Sequence, residues 1–142
     1  MLSFFGEYAQ VIDAKNRVFI PSKFREILGE RIYITRNVDG CLTVYSEEMW
    51  AELTEKIRAI PSSKGGSKIA RFVFSKSADA KCDSQGRVLI PQPLVEYAEL
   101  KKDIYVIGVG DHIEIWDKEA RDRDQSDENI ADILDIMREY DI

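Results

Sequence analysis

The chain contains two related segments of eleven residues, Val11-Ile-Asp-Ala-Lys-Asn-Arg-Val-Phe-Ile-Pro21 and Lys81-Cys-Asp-Ser-Gln-Gly-Arg-Val-Leu-Ile-Pro91. They lie 70 positions apart and share the five residues of the pattern Asp-x-x-x-Arg-Val-x-Ile-Pro. A fixed offset of this kind indicates an internal repeat, and a period of half the 142 residues is too long for a solenoid unit. The segments therefore predict a duplicated half-domain with a pseudo-two-fold axis.

The same series of predicted elements surrounds each segment. An extended run comes first, at 5–12 in the first copy and at 77–82 in the second, and a short apolar strand follows the turn. A proline then precedes apolar residues at helical spacing. A hairpin follows in each half, over 32–45 and 104–116, with a turn rich in Gly, Asn and Asp. The repeat thus extends beyond the eleven residues.

A helix is predicted after each hairpin, with Ser46 and Asp117 as the N-caps. The apolar faces of the two helices consist of Trp50, Leu53 and Ile57 in the first, and of Ile130, Ile133, Leu134 and Met137 in the second. Residues 67–75 fit either a short helix or a strand. The predicted organisation is a first repeat with its helix at 1–60, a linker and short helix at 61–76, and a second repeat with an acidic C-terminal helix at 77–142.

Composition excludes several classes of protein. A content of 44% hydrophobic and 32% charged residues is typical of a globular domain, and no apolar stretch approaches the roughly 20 residues of a membrane span. The first ten residues contain no Lys or Arg, so no signal peptide is expected. Cys41, Cys82 and the single His112 do not form a metal-binding pattern. We expect no cofactor, metal, small-molecule substrate or membrane partner.

The repeated turn is the candidate functional element. Asp13 and Asp83 are expected to accept hydrogen bonds from amides of their own turn and so to brace it. The fourth position of the turn is Asn16 in one copy and Gly86 in the other. These two residue types most readily adopt the left-handed backbone conformation, so both copies predict the same tight turn.

Two arginines are the main candidates for ligand binding. Arg17 and Arg87 leave the base of a braced turn, and an arginine fork held in this way suits phosphate oxygens or the O6 and N7 edge of guanine. Lys15 adds a charge at one tip, and Gln85 can bond a base or a phosphate at the other. A plainer reading is that each Asp and Arg only pair across their turn. The two readings are compatible, because an Asp can orient an Arg that also contacts a ligand.

The net charge of −6 is concentrated at one end of the chain. Residues 1–110 contain 16 Lys and Arg against 14 Asp and Glu, whereas residues 111–142 contain 4 against 12. Residues 64–81 form a basic run with five Lys and Arg and one Asp. Since local charge steers a polyanion, DNA is not excluded as a partner. We expect the acidic residues 117–140, including Asp122, Asp124 and Asp127, to lie away from the arginine face.

A resemblance to a known family rests on these residues. The run Asp-Ala-Lys-Asn-Arg-Val-x-Ile-Pro-x-Lys-Phe-Arg from Asp13, together with the second Asp-x-x-Gly-Arg-Val-Leu-Ile-Pro, resembles the MraZ family of bacterial regulators. Gly6-x-Tyr8 and the strand His112-Ile-Glu-Ile-Trp116 match as well. Each half resembles the AbrB/SpoVT swapped-hairpin domain. Asn16 departs from the glycine usual in the family, and the tail after Trp116 matches weakly.

The resemblance implies a fold, a function and partners. The fold would be α+β, with two βαββ-type swapped-hairpin (AbrB/MazE-like) half-barrels related by a pseudo-two-fold axis and helices after each half. The function would be that of a sequence-specific DNA-binding transcriptional repressor of the division and cell-wall gene cluster, located in the cytoplasm at the nucleoid. The partners would be double-stranded DNA with tandem promoter repeats and further copies of the chain in a ring.

Two other functions stay open. One is a protein-binding module like the antitoxins that share the half-domain, although these usually carry one copy of the turn and a long disordered tail. The other is a purely structural ring. An enzyme is not expected, because no nucleophile–base pair or phosphate-cradling glycine loop is visible. His112 alternates with Ile113 and Ile115, which is typical of a surface or edge residue.

Overall fold

The computed structural model describes residues 3–142. The first half comprises β1 (Phe4–Val11), β2 (Arg17–Phe19), α1 (Ser22–Leu28), β3 (Ile32–Arg36), β4 (Leu42–Ser46) and α2 (Glu47–Arg58). A 3-10 turn (Ser62–Lys64) and α3 (Gly66–Phe74) follow. The second half comprises β5 (Ala78–Ala80), β6 (Arg87–Leu89), α4 (Gln92–Tyr97), β7 (Asp103–Gly110), β8 (Ile113–Asp117), α5 (Lys118–Asp124) and α6 (Asp127–Glu139). Both halves repeat one order of elements, so the predicted duplication and the α+β class are confirmed.

The two halves exchange their first strands. A six-stranded sheet has the order β1-β7-β8-β4-β3-β5. β1 pairs antiparallel with β7 of the second half, from Phe4 opposite Gly110 to Val11 opposite Asp103, and β5 pairs in return with β3 of the first half. When each strand is replaced by its counterpart in the other half, the same order results, read from the opposite edge of the sheet. A pseudo-two-fold axis therefore passes between β4 and β8, the two central strands.

The remaining two strands, β2 and β6, form a separate antiparallel ribbon. Val18 lies opposite Val88 at the centre of the ribbon, and both side chains are fully buried. Ile20 and Ile90 follow the two strands and are also fully buried. One face of the ribbon therefore packs on the core. The same pseudo-two-fold axis relates its two strands and the two halves of the sheet.

One apolar core is shared by both halves. Phe4 of β1 packs edge-on against Phe24 of α1, with 5.7 Å between the ring centroids. Burying a side chain of this size contributes about 1.5–3 kcal/mol. Both rings belong to one cluster of buried residues that draws apolar side chains from both halves. The other fully buried apolar residues include Ile32, Ile34, Leu42 and Val44 in the first half and Leu94, Val106, Ile113 and Ile115 in the second.

The segment predicted as either helix or strand is the helix α3. Its Phe74 ring packs edge-on against Trp50 of α2, with 5.5 Å between the centroids. The Thr35 hydroxyl of β3 donates to the carbonyl of Val73. α3 therefore covers the outer side of β3 and packs beside α2. Among residues 3–142, no helix combines the length and apolar character needed to cross a membrane.

The C-terminal segment departs from the sequence prediction. Two helices, α5 and α6, replace the single helix expected after Asp117. Asp117 occupies the N-cap position of α5, as predicted, but its side chain forms no capping bond and instead accepts from the Lys101 N–H at 3.2 Å. The cap of α6 is Ser126, whose hydroxyl accepts from the Asn129 N–H. The other predicted cap, Ser46, is confirmed, since its hydroxyl accepts from the third residue of α2.

Candidate nucleic-acid interface

Loop 1, residues 13–17, joins β1 to β2 and is held by its own aspartate. One oxygen of the Asp13 carboxylate accepts from the N–H groups of Lys15 at 3.0 Å and Arg17 at 2.8 Å. The other oxygen accepts from the Arg17 Nε at 2.7 Å. The Asp13 N–H donates in turn to the Arg17 carbonyl at 3.0 Å. Backbone and guanidinium are therefore fixed by the same residue.

Loop 2, residues 83–87, joins β5 to β6 and repeats this set of bonds. The Asp83 carboxylate accepts from the N–H groups of Gln85 and Arg87, both at 2.9 Å, and from the Arg87 Nε at 3.0 Å. The Asp83 N–H donates to the Arg87 carbonyl at 2.8 Å. The two loops thus present an arginine and a fourth-residue carbonyl in the same way.

The bracing also sets the charge of the two aspartates. The N–H of Arg17 is the largest cause that lowers the pKa of Asp13 below its ordinary value of 3.8, and it outweighs the opposing effect of desolvation. The Arg87 N–H lowers the pKa of Asp83 in the same way. Hydrogen bonds to a carboxylate favour its ionised form. Both groups are therefore ionised acceptors at neutral pH.

The fourth residue of each loop has a positive φ, 60° at Asn16 and 81° at Gly86. The surroundings of these two residues differ. The Asn16 amide donates to the Gln92 side-chain oxygen at 2.8 Å. A Cβ added to Gly86 would lie 2.8 Å from the Arg25 guanidinium carbon and 2.9 Å from the Phe19 ring. The side chain that loop 1 carries would therefore fit in loop 2 only if Arg25 or Phe19 moved.

Reciprocal backbone bonds tie the loops to the ribbon. The Ile20 N–H donates to the Gly86 carbonyl at 2.9 Å, and the Ile90 N–H donates to the Asn16 carbonyl at 2.8 Å. The residue after each ribbon strand is therefore bonded to the loop of the other half. As a result, loop 1, loop 2 and the ribbon form one hydrogen-bonded unit.

The outer face of the ribbon carries two arginines and two apolar residues. Arg17 lies opposite Leu89, and Phe19 lies opposite Arg87. Leu89 is 59% exposed and Phe19 is 37% exposed, because strand alternation turns them away from the core. The arginine side chains are about one-third exposed, at 32% and 29%. This surface is called the ribbon face below.

Both arginines retain donors for a ligand. A guanidinium has five N–H donors, and Arg17 and Arg87 each use only the Nε donor for their aspartate. The four N–H donors of the terminal nitrogens form no hydrogen bond within the described chain. The ion pair in each loop is thus compatible with ligand binding. Lys15 and Gln85 are exposed beside these arginines.

Sequence reasoning did not assign three residues of this surface. Phe19 and Leu89 could have been found from strand alternation around the buried Val18. Arg25 lies in α1, and its Nε donates to the Ile20 carbonyl at 2.8 Å. The Arg25 guanidinium also lies 5.4 Å from the centre of the Phe19 ring. Arg25 ends the run that resembles the MraZ family, but no local signal indicates its contact with loop 2, because that contact depends on the packing of α1 against the loop.

The acidic residues of α5 pair with nearby cations. Asp122 lies 2.8 Å from Lys118, and Asp124 lies 2.7 Å from Arg121. Neither carboxylate pairs with Arg17, whose partner is the aspartate of loop 1. The negative charge of α5 is therefore largely balanced within that helix.

The single histidine belongs to a structural cluster near the β7–β8 turn. His112 contacts the carboxylates of Asp111 and Glu114, and Glu114 also accepts from the Trp116 indole at 2.9 Å. The hydrogen bond with Glu114 is the main cause that raises the pKa of His112. Within residues 3–142, no group of three or more His, Cys, Asp and Glu side chains is arranged to hold a metal ion.

Comparison with known proteins agrees with this architecture. A family model described as "MraZ protein, putative antitoxin-like" matches residues 3–71 and 73–129. The transcriptional regulator MraZ of Acetivibrio thermocellus is 48% identical over 129 residues, 90% of each chain. The proteins of the same name from Caldicellulosiruptor saccharolyticus and Lachnoclostridium phytofermentans are 46% and 43% identical over 89% and 96% of each chain.

The fold and the comparisons together define a class and a family. The chain is a duplicated α+β chain with exchanged strands, and its relatives are named transcriptional regulators. It belongs to the transcriptional regulators and not to the enzymes. Within that class, the chain belongs to the MraZ family, because the family model matches both halves.

Proposed function

We propose that the chain is a sequence-specific regulator that binds double-stranded DNA through loop 1, loop 2 and the ribbon face. The observation that carries the proposal is the pair of braced arginines on one face of a two-stranded ribbon. Each arginine is oriented before it meets a ligand, so little side-chain freedom is lost on binding. Such pre-organisation favours direct reading of bases over loose attraction to phosphates.

The dimensions of the ribbon suit the major groove of B-form DNA. That groove is about 12 Å wide and admits a two-stranded β-ribbon. Arg17 and Arg87 are diagonal neighbours across β2 and β6, a relation that separates Cα atoms by about 7–8 Å. This separation corresponds to about two base-pair steps at 3.4 Å each. The two guanidinium groups would thus bind guanines about two base pairs apart.

Further contacts would surround the two arginines. Phe19 and Leu89 lie on the ribbon face, where an apolar side chain can contact the methyl group of thymine. Lys15 and Gln85 at the loop tips would bind phosphate or a base edge. Asn16, Gly86, Asp13 and Asp83 would act indirectly, by holding the loops in shape.

Repetition of this unit would raise affinity. Following the family resemblance, we assign the operator to tandem promoter repeats of the division and cell-wall gene cluster, where binding represses transcription at the nucleoid. A ring of subunits would present one ribbon face per copy to successive repeats. Several modest contacts then bind tightly, because each one raises the effective concentration of the next.

The test is a titration of labelled duplex DNA from upstream of the protein's own gene, with a scrambled duplex for comparison. Arg17→Ala combined with Arg87→Ala should weaken specific binding by at least tenfold to a hundredfold, since a bidentate guanine contact contributes about 1–3 kcal/mol. Binding by the unmodified protein should fall with salt, with a log–log slope of about −0.9 per phosphate neutralised.

A matched control removes the same charge elsewhere. Arg58 and Arg138 are 73% and 72% exposed and pair with acids three residues away, so replacing both with alanine should leave specific binding nearly intact. Circular dichroism should show that both double variants are folded. Unchanged affinity and salt slope in the loop variant would refute the proposal and favour a protein-binding module of the antitoxin type.

A further inference from the structure

The two loops beside the ribbon carry their positive charges in different places. Arg17 and Arg87 are equivalent, but the third residue of loop 1 is Lys15, whereas that of loop 2 is Gln85. Both of these third residues are exposed. Loop 1 therefore has a second cation of its own, and loop 2 has a neutral residue at the same place.

Arg25 of α1 brings a cation to loop 2 from the other half of the chain. Its guanidinium lies 5.4 Å from the centre of the Phe19 ring, and a Cβ added to Gly86 would lie 2.8 Å from the guanidinium carbon. The residue that corresponds to Arg25 in the second half is Val95, which is uncharged and buried. The helix of the second half therefore provides loop 1 with no such cation.

The Arg25 guanidinium has donors that the chain does not use. Its Nε donates to the Ile20 carbonyl at 2.8 Å, which fixes the direction of the group. The terminal nitrogens carry four further N–H donors, and these form no hydrogen bond or ion pair within residues 3–142. The side chain is partly exposed. A cation that is oriented in this way and has no acidic partner is suited to bind an anion from outside the chain.

The position of Arg25 favours a phosphate over a base as its ligand. Arg25 belongs to α1 and reaches loop 2 from outside the ribbon, whereas the ribbon face consists of residues of β2 and β6. A ribbon in the major groove is bordered by the sugar-phosphate backbone on both sides. A cation beside the ribbon therefore faces phosphate oxygens when the ribbon face meets the bases.

We propose that Arg25 makes for loop 2 the phosphate contact that Lys15 makes for loop 1. Each loop then holds the DNA with one braced arginine and one further cation, and loop 2 uses a cation from α1 in place of one at its own tip. Phosphate contacts position a protein on the duplex without reading its sequence, so Arg25 places the ribbon and does not select bases. This inference rests on the proposed function, because it adds a contact to the same site.

The test is the salt dependence of binding to the duplex from upstream of the protein's own gene and to the scrambled duplex. Arg25→Met removes the charge and keeps an unbranched side chain beside Phe19, and it should lower the log–log slope by about 0.9 for each bound chain. Between about 50 and 200 mM salt, the unmodified chain should lose about three- to fourfold more affinity per phosphate contact than the variant. Affinity for both duplexes should fall by the same factor, because a phosphate contact carries no sequence information.

Three further variants compare Arg25 with Lys15. Lys15→Gln should lower the slope by the same amount as Arg25→Met, and the two changes together should lower it by twice that amount. Gln85→Lys in the Arg25→Met chain gives loop 2 a cation at its tip and should restore the slope. Failure of this restoration would overturn the proposal, because the loss would then come from a change in loop structure. Arg58→Met, which removes an exposed charge paired with Glu55, is the control and should leave the slope unchanged.

The structural role of Arg25 is separated from its charge by the slope itself. Circular dichroism checks that each variant is folded, and Arg25→Gln is a second uncharged variant if Arg25→Met does not fold. An unchanged slope in a folded variant would overturn the inference, whether or not the affinity falls, since a purely structural role does not alter the number of phosphates neutralised.

The inference and the proposed function can fail separately. If Arg17→Ala with Arg87→Ala abolishes specific binding while Arg25→Met keeps the full slope, only the role of Arg25 is refuted. If the unmodified chain binds neither duplex, both are refuted.

Discussion

Loop 1 and loop 2 have the same backbone bonds but different neighbours. Each aspartate accepts from two backbone N–H groups and one arginine Nε. The fourth residue of loop 1 is bonded to Gln92 of α4, whereas that of loop 2 is packed beneath Arg25 of α1. At the matching positions of the other half stand Ser22 and Val95. The two halves therefore share the hydrogen bonds within each loop and differ in the helix residues that contact the fourth position of the loop.

This difference separates two requirements of the same turn. The Asp-x-x-x-Arg bonds depend only on residues within a loop, so they can be repeated in any copy. The support of the fourth residue comes from a helix of the opposite half, so it depends on how the halves are packed. Substitutions can therefore test the two requirements one at a time.

The largest effects are expected on DNA binding. If the loops are equivalent readers, Arg17→Ala and Arg87→Ala should each weaken operator binding by about tenfold to a hundredfold, from the 1–3 kcal/mol of one bidentate contact. Arg17→Lys and Arg87→Lys distinguish a bidentate contact to a base from a contact to a phosphate. Lysine keeps the positive charge but lacks the planar guanidinium group that makes two parallel hydrogen bonds. Titrations of labelled operator would measure all four. A loss confined to one arginine would show that only one loop reads the operator.

A smaller effect, on stability, is expected when the asparagine found at the fourth position of loop 1 is placed at the fourth position of loop 2. Gly86→Asn should reduce the free energy of unfolding by about 1–3 kcal/mol, because the new side chain must displace Arg25 or Phe19. Urea unfolding would measure the change. Arg25→Ala in the same chain should recover part of it, and a double-mutant cycle would give the coupling. An unchanged urea midpoint in Gly86→Asn would contradict the packing described for loop 2.

The reverse exchange should have a smaller effect. Asn16→Gly removes one side-chain bond to Gln92, which contributes about 0.5–1.5 kcal/mol, but it also relieves a non-glycine residue of its positive φ. The two changes oppose each other, so urea unfolding should show a net change below about 1 kcal/mol. Asn16→Ala removes the bond and keeps the strain, and it should be the less stable of the two. Equal stability of the two variants would argue against strain at this position.

The smallest effects are expected from the two loop aspartates, Asp13 and Asp83, and depend on pH. The pKa of each is lower in the folded chain, so its stabilising contribution is present above the ordinary pKa of 3.8 and is lost as pH falls through the folded pKa. Asp13→Asn and Asp83→Asn should lower the thermal midpoint at pH 7 to a similar extent. Each difference from the unmodified chain should shrink below pH 3.8. Differences that persist at pH 2 would exclude ionisation as their cause.

Local features of the fold could be predicted from single residues. Asn16 and Gly86 indicated the positive φ of the turns, and Ser46 indicated the start of α2. Alternation and turn composition located the hairpins. The end of the chain was harder, because the apolar spacing after Ile130 does not reveal the break before α6. Ser126 is a good capping residue, but it was not recognised against that spacing.

Pairings between distant residues could not be predicted from periodicity. Nothing in the residues of β1 indicates that its partner is β7 rather than a strand of its own half. The exchange of strands was available only through the family resemblance. The contact between Arg25 and loop 2 likewise joins residues far apart in the chain, so it became visible only in the structure. Interactions within a turn are encoded locally, and those between the halves are not.

The exchange of β1 and β5 also bears on how the chain is made. β1 is synthesised before β7, yet Phe4 pairs opposite Gly110, which is made more than a hundred residues later. Until then β1 has an unpaired edge, and such edges promote aggregation in partly made chains. Pairings so distant in sequence also slow folding. The native sheet can therefore form only after β7 has been synthesised, and the first half made on its own would lack the partner of its first strand.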